Sequence, residues 1–243
     1  MRSILIVCLL GLAPTLAWAQ KVDSGPRRNG LVELYTSEGC SSCPPAEAWL
    51  HAEEESLKAA SAIPIELHVD YWDQIGWVDA YSSPRYTERQ HALAQRSRGD
   101  LYTPELALNG HEQRREGLRD ALAASRDQAA PVSLGIESVR QGNALSVTVR
   151  RSVSSRSTRV YLAVVENGIT VDVRSGENAG RKLHHDHVVR ALLGALPSGA
   201  KQEASLQVSL SPGWQYSRLA LVAFAEDERS GEVLQAVALN HLD

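Results

Sequence analysis

The distribution of hydrophobic residues along the chain predicts two structural halves. In the N-terminal half, short and nearly continuous apolar runs are typical of strands that are covered on both faces. The predicted strands are residues 31–35, 63–69 and 106–108. The predicted helices are residues 46–60, 83–98 and 115–128. Because strands and helices alternate, we expect this half to form an α/β sheet with helices on its faces.

From Pro131 onward the pattern changes to short alternating or apolar segments that are separated by turn residues. The predicted strands here are residues 132–139, 144–151, 159–166, 204–210, 219–225 and 233–239. Short strands at this spacing indicate a mainly antiparallel, β-sandwich-like domain. Residues 178–193 differ, because their apolar positions predict a short helix or a crossover. We therefore expect two domains, residues 30–130 and residues 131–243.

The N-terminus has the pattern of a secretory signal. Arg2 precedes an apolar run at residues 4–12, and Ala17-Trp18-Ala19 has the small-residue spacing of a cleavage site. The run is too short to span a bilayer, so no stable membrane anchor is expected. The sequence thus predicts a signal peptide at residues 1–19, cleavage after Ala19, a solvated leader at residues 20–29, and a periplasmic or secreted protein.

The charge distribution excludes one class of partner. Residues 20–130 carry 12 basic and 18 acidic side chains, and residues 131–243 carry 12 and 11. Neither half has the excess or clustering of Lys and Arg that a nucleic-acid surface needs. We therefore expect no nucleic-acid partner.

The candidate chemistry lies in the segment Cys40-Ser41-Ser42-Cys43. The only other cysteine, Cys8, lies in the predicted signal peptide. The pair stands between a predicted strand and a predicted helix, where free N–H groups and the helix dipole favour a thiolate on Cys40. Cys43 would then resolve the mixed disulfide, and the serine hydroxyls could donate to the sulfur. A bridge across a two-residue gap adds little stability, which favours a redox role over a structural one.

Several blocks of sequence carry a resemblance to known proteins. The order of strands, helices and CxxC, followed by Tyr102-Thr103-Pro104, resembles the thioredoxin fold. The amino-acid sequence at residues 33–45 (ELYTSEGCSSCPP) and 68–73 (HVDYWD) is similar to that of the exported bacterial proteins of domain-of-unknown-function family 1223. The resemblance implies a cis Pro104 opposite the cysteines, with Thr103 presenting its backbone to a substrate chain. It implies no specific reaction.

Three acidic side chains affect the expected chemistry of the two cysteines. Glu38 and Glu47 are the charges nearest to the cysteines, and both would disfavour a thiolate. Glu33 lies on the strand that leads to the motif, and a buried carboxylate there could accept a proton from Cys43. The alternative is that Glu33 faces solvent or pairs with an arginine.

Two further segments allow two interpretations each. Residues 70–77 are rich in aromatic and acidic side chains, and they either form a binding rim or bury their two tryptophans against the neighbouring domain. His184, His185 and His187 are metal-ligand types, with His68 and Asp70 as possible distant partners. Adjacent residues point in different directions, so a polar segment is the favoured interpretation, and no metal and no cofactor are expected.

The sequence thus predicts a periplasmic or secreted thiol–disulfide oxidoreductase-like protein. Its partner would be a cysteine-containing protein or a small thiol, and the sequence does not indicate which redox partner renews it. Two alternatives remain open. One is a non-enzymatic binding or assembly module on the same scaffold, and the other is a copper-handling protein in which the thiols bind Cu(I).

Overall fold

A computed structural model describes residues 19–152, 157–199, 202–240 and 242. The predicted signal peptide, with Cys8, therefore lies outside the described residues except for Ala19. The strands are β1 (Gln20–Asp23), β2 (Gly30–Thr36), β3 (Ala62–His68), β4 (Glu105–Leu108), β5 (His111–Glu112), β6 (Leu134–Gln141), β7 (Ala144–Arg151), β8 (Thr158–Glu166), β9 (Ile169–Asp172), β10 (Lys182–His185), β11 (Val188–Leu196), β12 (Glu203–Ser209), β13 (Leu219–Asp227) and β14 (Val233–Leu239). The helices are α1 (Pro44–Ala52), α2 (Glu54–Ala59), α3 (Pro84–Ser97) and α4 (Leu118–Arg126).

The N-terminal half contains the predicted elements with small changes at their ends. The predicted helix at residues 46–60 is divided at Glu53 into α1 and α2. Helix α3 begins as the sequence predicts, because the Ser83 hydroxyl accepts a hydrogen bond from the Arg85 N–H and Pro84 occupies the first turn. Asn109 and Gly110 form the predicted turn between β4 and β5, and both have positive φ.

The described strands form three sheets in a mixed α/β arrangement. The largest sheet has eight strands in the order β14-β13-β8-β11-β3-β2-β4-β5. Strands β2 and β3 are parallel, and the other long pairings are antiparallel. Strand β11 joins the two halves, since it pairs along its length with β8 and through Val188 with Glu66 of β3. One continuous sheet therefore crosses the boundary that the sequence predicts at residue 130.

The structure corrects the prediction for residues 178–193. This segment contains β10 and most of β11, and it contains no helix. The apolar positions Val188, Val189, Leu192 and Leu193 suggested a short helix or a crossover, but the two valines are β-branched and favour an extended chain. Strand β11 pairs with β8 on one side and with β3 on the other, and this pairing buries Val188 and Val189. These tertiary contacts decide the conformation.

The predicted solvated leader at residues 20–29 also needs correction. Strand β1 pairs with β6 at the edge of a four-stranded sheet of order β1-β6-β7-β12. Arg28 is buried, and its guanidinium forms an ion pair with Glu232 at 2.9 Å. Alternation of exposed and half-buried residues in β1 explains why the segment looks polar in the sequence.

Two cores hold the large sheet between its neighbours. The four-stranded sheet packs its apolar side chains against one part of the eight-stranded sheet, where Leu162, Val164 and Leu221 meet Ile136 and Val147. Helix α1 and helix α4 cover Val32 and Leu34 of β2 at the other end. Among the described residues, no helix has the length and apolar character that crossing a membrane requires.

Candidate functional site

The cysteine pair lies at the junction between β2 and α1. Cys40 and Cys43 form a disulfide with their Cα atoms 5.4 Å apart. Hydrogen bonds from the Cys40 N–H to the Ser37 carbonyl oxygen and from the Cys43 N–H to the Cys40 carbonyl oxygen shape the turn before the helix. Both cysteines are 0% exposed, so the sulfurs are completely covered in this conformation.

The Thr103–Pro104 peptide bond is cis and lies against the disulfide. The carbonyl oxygen of Thr103 is 3.9 Å from Cys40 Sγ. The Trp72 indole donates to the Thr103 hydroxyl at 2.8 Å, and the Gln90 amide donates to the Tyr102 carbonyl oxygen at 2.7 Å. These contacts hold the loop before β4 in place from both sides.

The two serines of the motif have different neighbours. The Ser42 hydroxyl is 3.3 Å from Cys40 Sγ, which is close enough for a weak hydrogen bond to the sulfur. Ser41 uses its backbone N–H, which donates to Glu177 Oε2 at 3.1 Å. Ser42 is therefore the hydroxyl positioned to interact with Cys40.

A loop between β9 and β10 covers the motif. Asn178 is completely buried, and its side-chain amide donates to the carbonyl oxygens of Glu38 at 2.8 Å and Cys40 at 3.0 Å. Ser175 donates from its hydroxyl to the Gly76 carbonyl oxygen at 2.6 Å. The C-terminal part of the chain thus closes the site that the N-terminal part forms. No local sequence pattern predicts this contact.

Glu33 does not face the cysteines. Its carboxylate pairs with Arg89, whose Nε is 2.5 Å from Oε1 and whose second amino group is 3.2 Å from Oε2. Arg89 also reaches Glu226 at 2.7 Å. Of the two possibilities that the sequence left open, pairing with an arginine is the observed one. The described residues show no hydrogen bond or ion pair between Glu33 and Cys43, so the proton-acceptor role is not supported.

The segment at residues 70–77 is partly buried and partly exposed. Its two indoles are half-buried, and Trp77 donates to Glu38 Oε2 at 2.6 Å as Trp72 does to Thr103. The chain nearby nevertheless displays apolar side chains, with Ile75 53% exposed and Val78 70% exposed. The tryptophans therefore support the motif, and the residues around them form an exposed rim.

The histidines at residues 184–187 separate into different environments. His184 and Asp186 lie near the surface, with His184 Nε2 3.3 Å from Asp186 Oδ2. His187 is half-buried at a separate position with φ +58°. Only His185 points into the interior, and its ring centroid lies 5.2 Å from that of His68. Asp70 bonds to Thr87 instead, so the suggested partnership holds for His68 and not for Asp70.

His185 and His68 belong to a buried polar cluster beneath α1. His185 Nδ1 is 2.8 Å from Glu47 Oε2, and His68 Nδ1 is 2.7 Å from Asp79 Oδ2. Burial alone would lower the pKa of His185, but the neighbouring Glu38 and Glu47 outweigh it and raise that pKa to about 10. The sequence pointed to His185 and His68 as possible partners, but not to Glu47 or Glu66. The signal for the cluster was Glu66 and His68 on one face of an otherwise apolar strand.

Comparisons with known proteins identify the chain's relatives. The structure is similar to the crystal structure of protein AGR_C_4864 from Agrobacterium tumefaciens, with a TM-score of 0.64 and 24% identity over 89% of this chain and 96% of that chain. At this identity the likeness shows the fold alone. The comparison with curated proteins finds no match. The model of the family described as protein of unknown function DUF1223 matches residues 31–226. Because this match covers most of the chain, the protein belongs to the DUF1223 family.

Proposed function

We propose that this protein is an exported thiol–disulfide oxidoreductase that uses Cys40 and Cys43 on a thioredoxin-like domain. The observation that carries the proposal is the approach of Cys40 Sγ to the Thr103 carbonyl oxygen at 3.9 Å, beside the cis Thr103–Pro104 bond. An extended substrate chain could pair with the backbone at Thr103 and bring its own sulfur to Cys40. A disulfide that closes only a two-residue gap adds little stability, which also supports a redox role.

The exchange starts from the oxidised protein. A substrate thiolate attacks Cys40 Sγ, the Cys40–Cys43 bond breaks, and Cys43 leaves as a thiolate that takes up a proton. A second substrate thiolate then attacks the substrate sulfur in the mixed disulfide, which forms the substrate disulfide and releases Cys40. The protein gains two electrons and the substrate loses two. A disulfide-bearing oxidant restores the pair, and the same steps in reverse reduce a substrate.

The surroundings of Cys40 favour moderate thiol acidity. The Ser42 hydroxyl and the start of α1 stabilise a thiolate. Among the described residues, no lysine or arginine contacts either sulfur, and the nearby carboxylates of Glu38 and Glu47 disfavour negative charge. We therefore expect a reduction potential below those of the strongest oxidants that share this chemistry.

The surface near the motif suits a protein substrate. Ile75, Val78 and Tyr102 are the large apolar side chains most exposed in the described chain, and they belong to the two segments that flank the cysteines. Such a rim can bind apolar side chains of an unfolded or extended segment. Because both sulfurs are covered, exchange requires the loop that carries Asn178 to move.

Equilibration of the mature protein with glutathione buffers tests the proposal. Alkylation and mass spectrometry should show the pair changing from fully oxidised to fully reduced over a defined range of glutathione ratios. Cys43→Ser should accumulate a mixed disulfide on Cys40 with a cysteine-containing peptide, whereas Cys40→Ser should not. A pair that stays oxidised at every ratio would favour the binding-module alternative. Stoichiometric Cu(I) binding by the reduced pair without peptide exchange would favour copper handling.

Export has its own test. A periplasmic or secreted fraction should contain a chain that begins at Gln20, since cleavage is expected after Ala19. N-terminal mass spectrometry of the fractionated protein measures this directly. A full-length chain confined to the cytoplasm would contradict the export proposal and would leave the exchange chemistry to be judged by the glutathione experiment.

A further inference from the structure

The buried cluster beneath α1 has the composition of a metal site. Glu47 of α1, Glu66 and His68 of β3, and His185 of β10 each offer one ligand atom, and these atoms all lie within 4.8 Å of one another. All four side chains are at most 4% exposed. Two imidazoles and two carboxylates from three separate elements therefore converge in the interior.

Three of these side chains, those of Glu66, His68 and His185, each have a buried polar atom without a hydrogen-bond partner. Glu66 Oε2 and His68 Nε2 are buried, and neither has a donor or acceptor in reach. Buried polar atoms are satisfied in the great majority of folded proteins, and each exception costs free energy. A ligand between Glu66 and His68 would satisfy both atoms at once.

The cluster also contains more acidic than basic side chains. Four buried carboxylates, those of Glu38, Glu47, Glu66 and Asp79, lie around two imidazoles. Within the described part of the chain, no lysine or arginine forms an ion pair with any of the four. Two imidazoles can offset the charge of at most two of the four carboxyl groups, and any remaining negative charge in a protein interior is unfavourable. A divalent cation would supply the missing positive charge.

The contact that His68 makes on the side away from the cluster matches that of histidine ligands in metal sites. Asp79 Oδ2 holds His68 Nδ1 at 2.7 Å, which leaves Nε2 directed into the cluster. Asp79 is itself fixed by the backbone N–H groups of Glu38 at 2.8 Å and Tyr81 at 2.9 Å. Ligating histidines commonly use a carboxylate in this way to set the ring orientation and tautomer.

His185 lies between two carboxyl groups. Its Nε2 lies 3.3 Å from Glu38 Oε1, and its Nδ1 faces Glu47 Oε2 at 2.8 Å. The Thr36 hydroxyl donates to the other oxygen of Glu47. Ligands of tetrahedral zinc lie about 2.0–2.1 Å from the metal and therefore about 3.3 Å from one another. The four ligand atoms all lie within 4.8 Å of one another, and His185 Nδ1 is 2.8 Å from Glu47 Oε2, so side-chain adjustments would complete the geometry.

We infer that Glu47, Glu66, His68 and His185 form a binding site for a divalent transition-metal ion, with Zn²⁺ as the best match. Mixed imidazole and carboxylate ligands suit Zn²⁺, and a site closed by four protein ligands is typical of a structural role. The ion would fix α1, which follows the cysteines, to β3 and β10. This inference does not rest on the proposed redox function.

Metal titration of the mature, disulfide-bonded protein tests the site. After chelator treatment and dialysis, competition between the protein and a chromogenic zinc chelator should give one tightly bound Zn²⁺ per chain. Elemental analysis should confirm that stoichiometry, and added Zn²⁺ should raise the midpoint of thermal unfolding. Absence of stoichiometric binding, or of a thermal shift at saturating zinc, would overturn the inference and would mean that the cluster holds only protons.

Variants locate the ion. Glu66→Gln and His185→Gln should each lower zinc affinity by about 100-fold or more, and Asp79→Asn should lower it by about 10–100-fold. His184→Gln is the matched control, because His184 is exposed and adjacent in sequence to a proposed ligand. Equal loss in the control, or no loss in Glu66→Gln and His185→Gln, would assign the ion to another place and overturn the inference.

Two further measurements keep the result interpretable. Co²⁺ bound to the unsubstituted protein should absorb in the visible range without a thiolate charge-transfer band, and this needs no variant that might misfold. A Cys40→Ser/Cys43→Ser double variant should retain zinc while losing all disulfide exchange. Loss of zinc in that variant would show that the thiols bind the metal and would contradict the proposed ligand set.

Discussion

The side-chain amide of Asn178 donates a 3.0 Å hydrogen bond to the carbonyl oxygen of Cys40, 138 residues away in the chain. The same amide donates to the Glu38 carbonyl oxygen at 2.8 Å. One buried side chain from the β9–β10 loop thus holds the backbone just before and within the CxxC motif. Because both sulfurs are covered, these two hydrogen bonds oppose access to the disulfide.

We expect Asn178→Ala to speed reduction of the disulfide. Loss of two buried hydrogen bonds weakens closure of the loop by about 2 kcal/mol, which corresponds to roughly 30-fold faster reduction if opening precedes attack. The measurement is the pseudo-first-order rate of reduction by dithiothreitol under conditions in which the protein stays folded. Asn143→Ala, in the exposed turn between β6 and β7, is the matched control. Equal rates in both variants would show that the loop does not limit access.

The ion pairs around Arg89 give a second prediction. Arg89 bridges Glu33 and Glu226 in the interior, with its side chain 10% exposed. Replacement by Ala leaves two buried carboxylates without a cation, so Arg89→Ala should lower the free energy of unfolding by about 3–5 kcal/mol. Chemical denaturation followed by circular dichroism measures this.

Arg119→Ala is the control for that substitution. Arg119 also pairs with a glutamate, Glu53, at 2.8 Å, but its side chain is 71% exposed. Surface ion pairs contribute little because water and salt screen them. If Arg89→Ala lowers the free energy of unfolding no more than Arg119→Ala does, the buried network relaxes or admits water.

The sequence was most informative where local pattern decides structure. The apolar runs gave β2 and β3 to within one residue at each end, and Ser83-Pro84 marked the start of α3. Each of these elements depends on side-chain periodicity and on capping groups within a few residues. The same holds for the Asn109-Gly110 turn, whose positive φ values suit those two residue types.

Contacts between distant segments could not be predicted from the sequence. The partner of Glu33 is Arg89, 56 residues later, and no local pattern selects that arginine among the others. His185 meets Glu47 across 138 residues because β10 returns to α1. The apolar pattern of the β11 sequence is compatible with a helix, and its pairing with β8 and β3 makes it a strand. In each case a tertiary neighbour, which the sequence does not reveal, decides the outcome.

A buried carboxyl near the cis-proline loop predicts pH-dependent stability. Glu105 accepts a 2.7 Å hydrogen bond from Gln90, and burial raises the pKa of Glu105 to about 7. Since the unfolded chain releases this proton near pH 4.5, the folded state holds it more tightly between the two values. Stability from Glu105 is therefore fully present below about pH 4.5 and is lost as the pH rises through 7, by about 3 kcal/mol.

The substitution Glu105→Gln isolates that effect. The variant keeps a polar side chain but cannot ionise, so its free energy of unfolding should vary less between pH 5 and pH 8 and should exceed the parent value at pH 8. Glu116→Gln, on an exposed position, is the matched control and should follow the parent curve. Parallel pH profiles for Glu105→Gln and the parent protein would show that Glu105 is ionised throughout this range.

The Asn109-Gly110 turn provides the last prediction, because it packs against the loop before β14. Gly110 has φ +80°, and a Cβ atom there would overlap the carbonyl oxygen of Gly231, a backbone atom that cannot rotate away. The nearby Val233 N–H also donates to the Asn109 carbonyl oxygen at 3.0 Å, so the two loops cannot separate freely. Gly110→Ala must therefore bear both backbone strain and a steric clash.

We expect Gly110→Ala to lower the free energy of unfolding by about 2–5 kcal/mol, of which about 1–2 kcal/mol comes from the left-handed backbone and the rest from the clash. Gly142→Ala separates the two contributions, because Gly142 has φ +60° but no atom within 4 Å of an added Cβ. It should lose only the backbone part, about 1–2 kcal/mol. Denaturant titration of both variants measures the difference. Equal losses would mean that the Gly231 loop moves aside at no cost, and that this contact does not stabilise the packing of the β4–β5 turn against the β13–β14 loop.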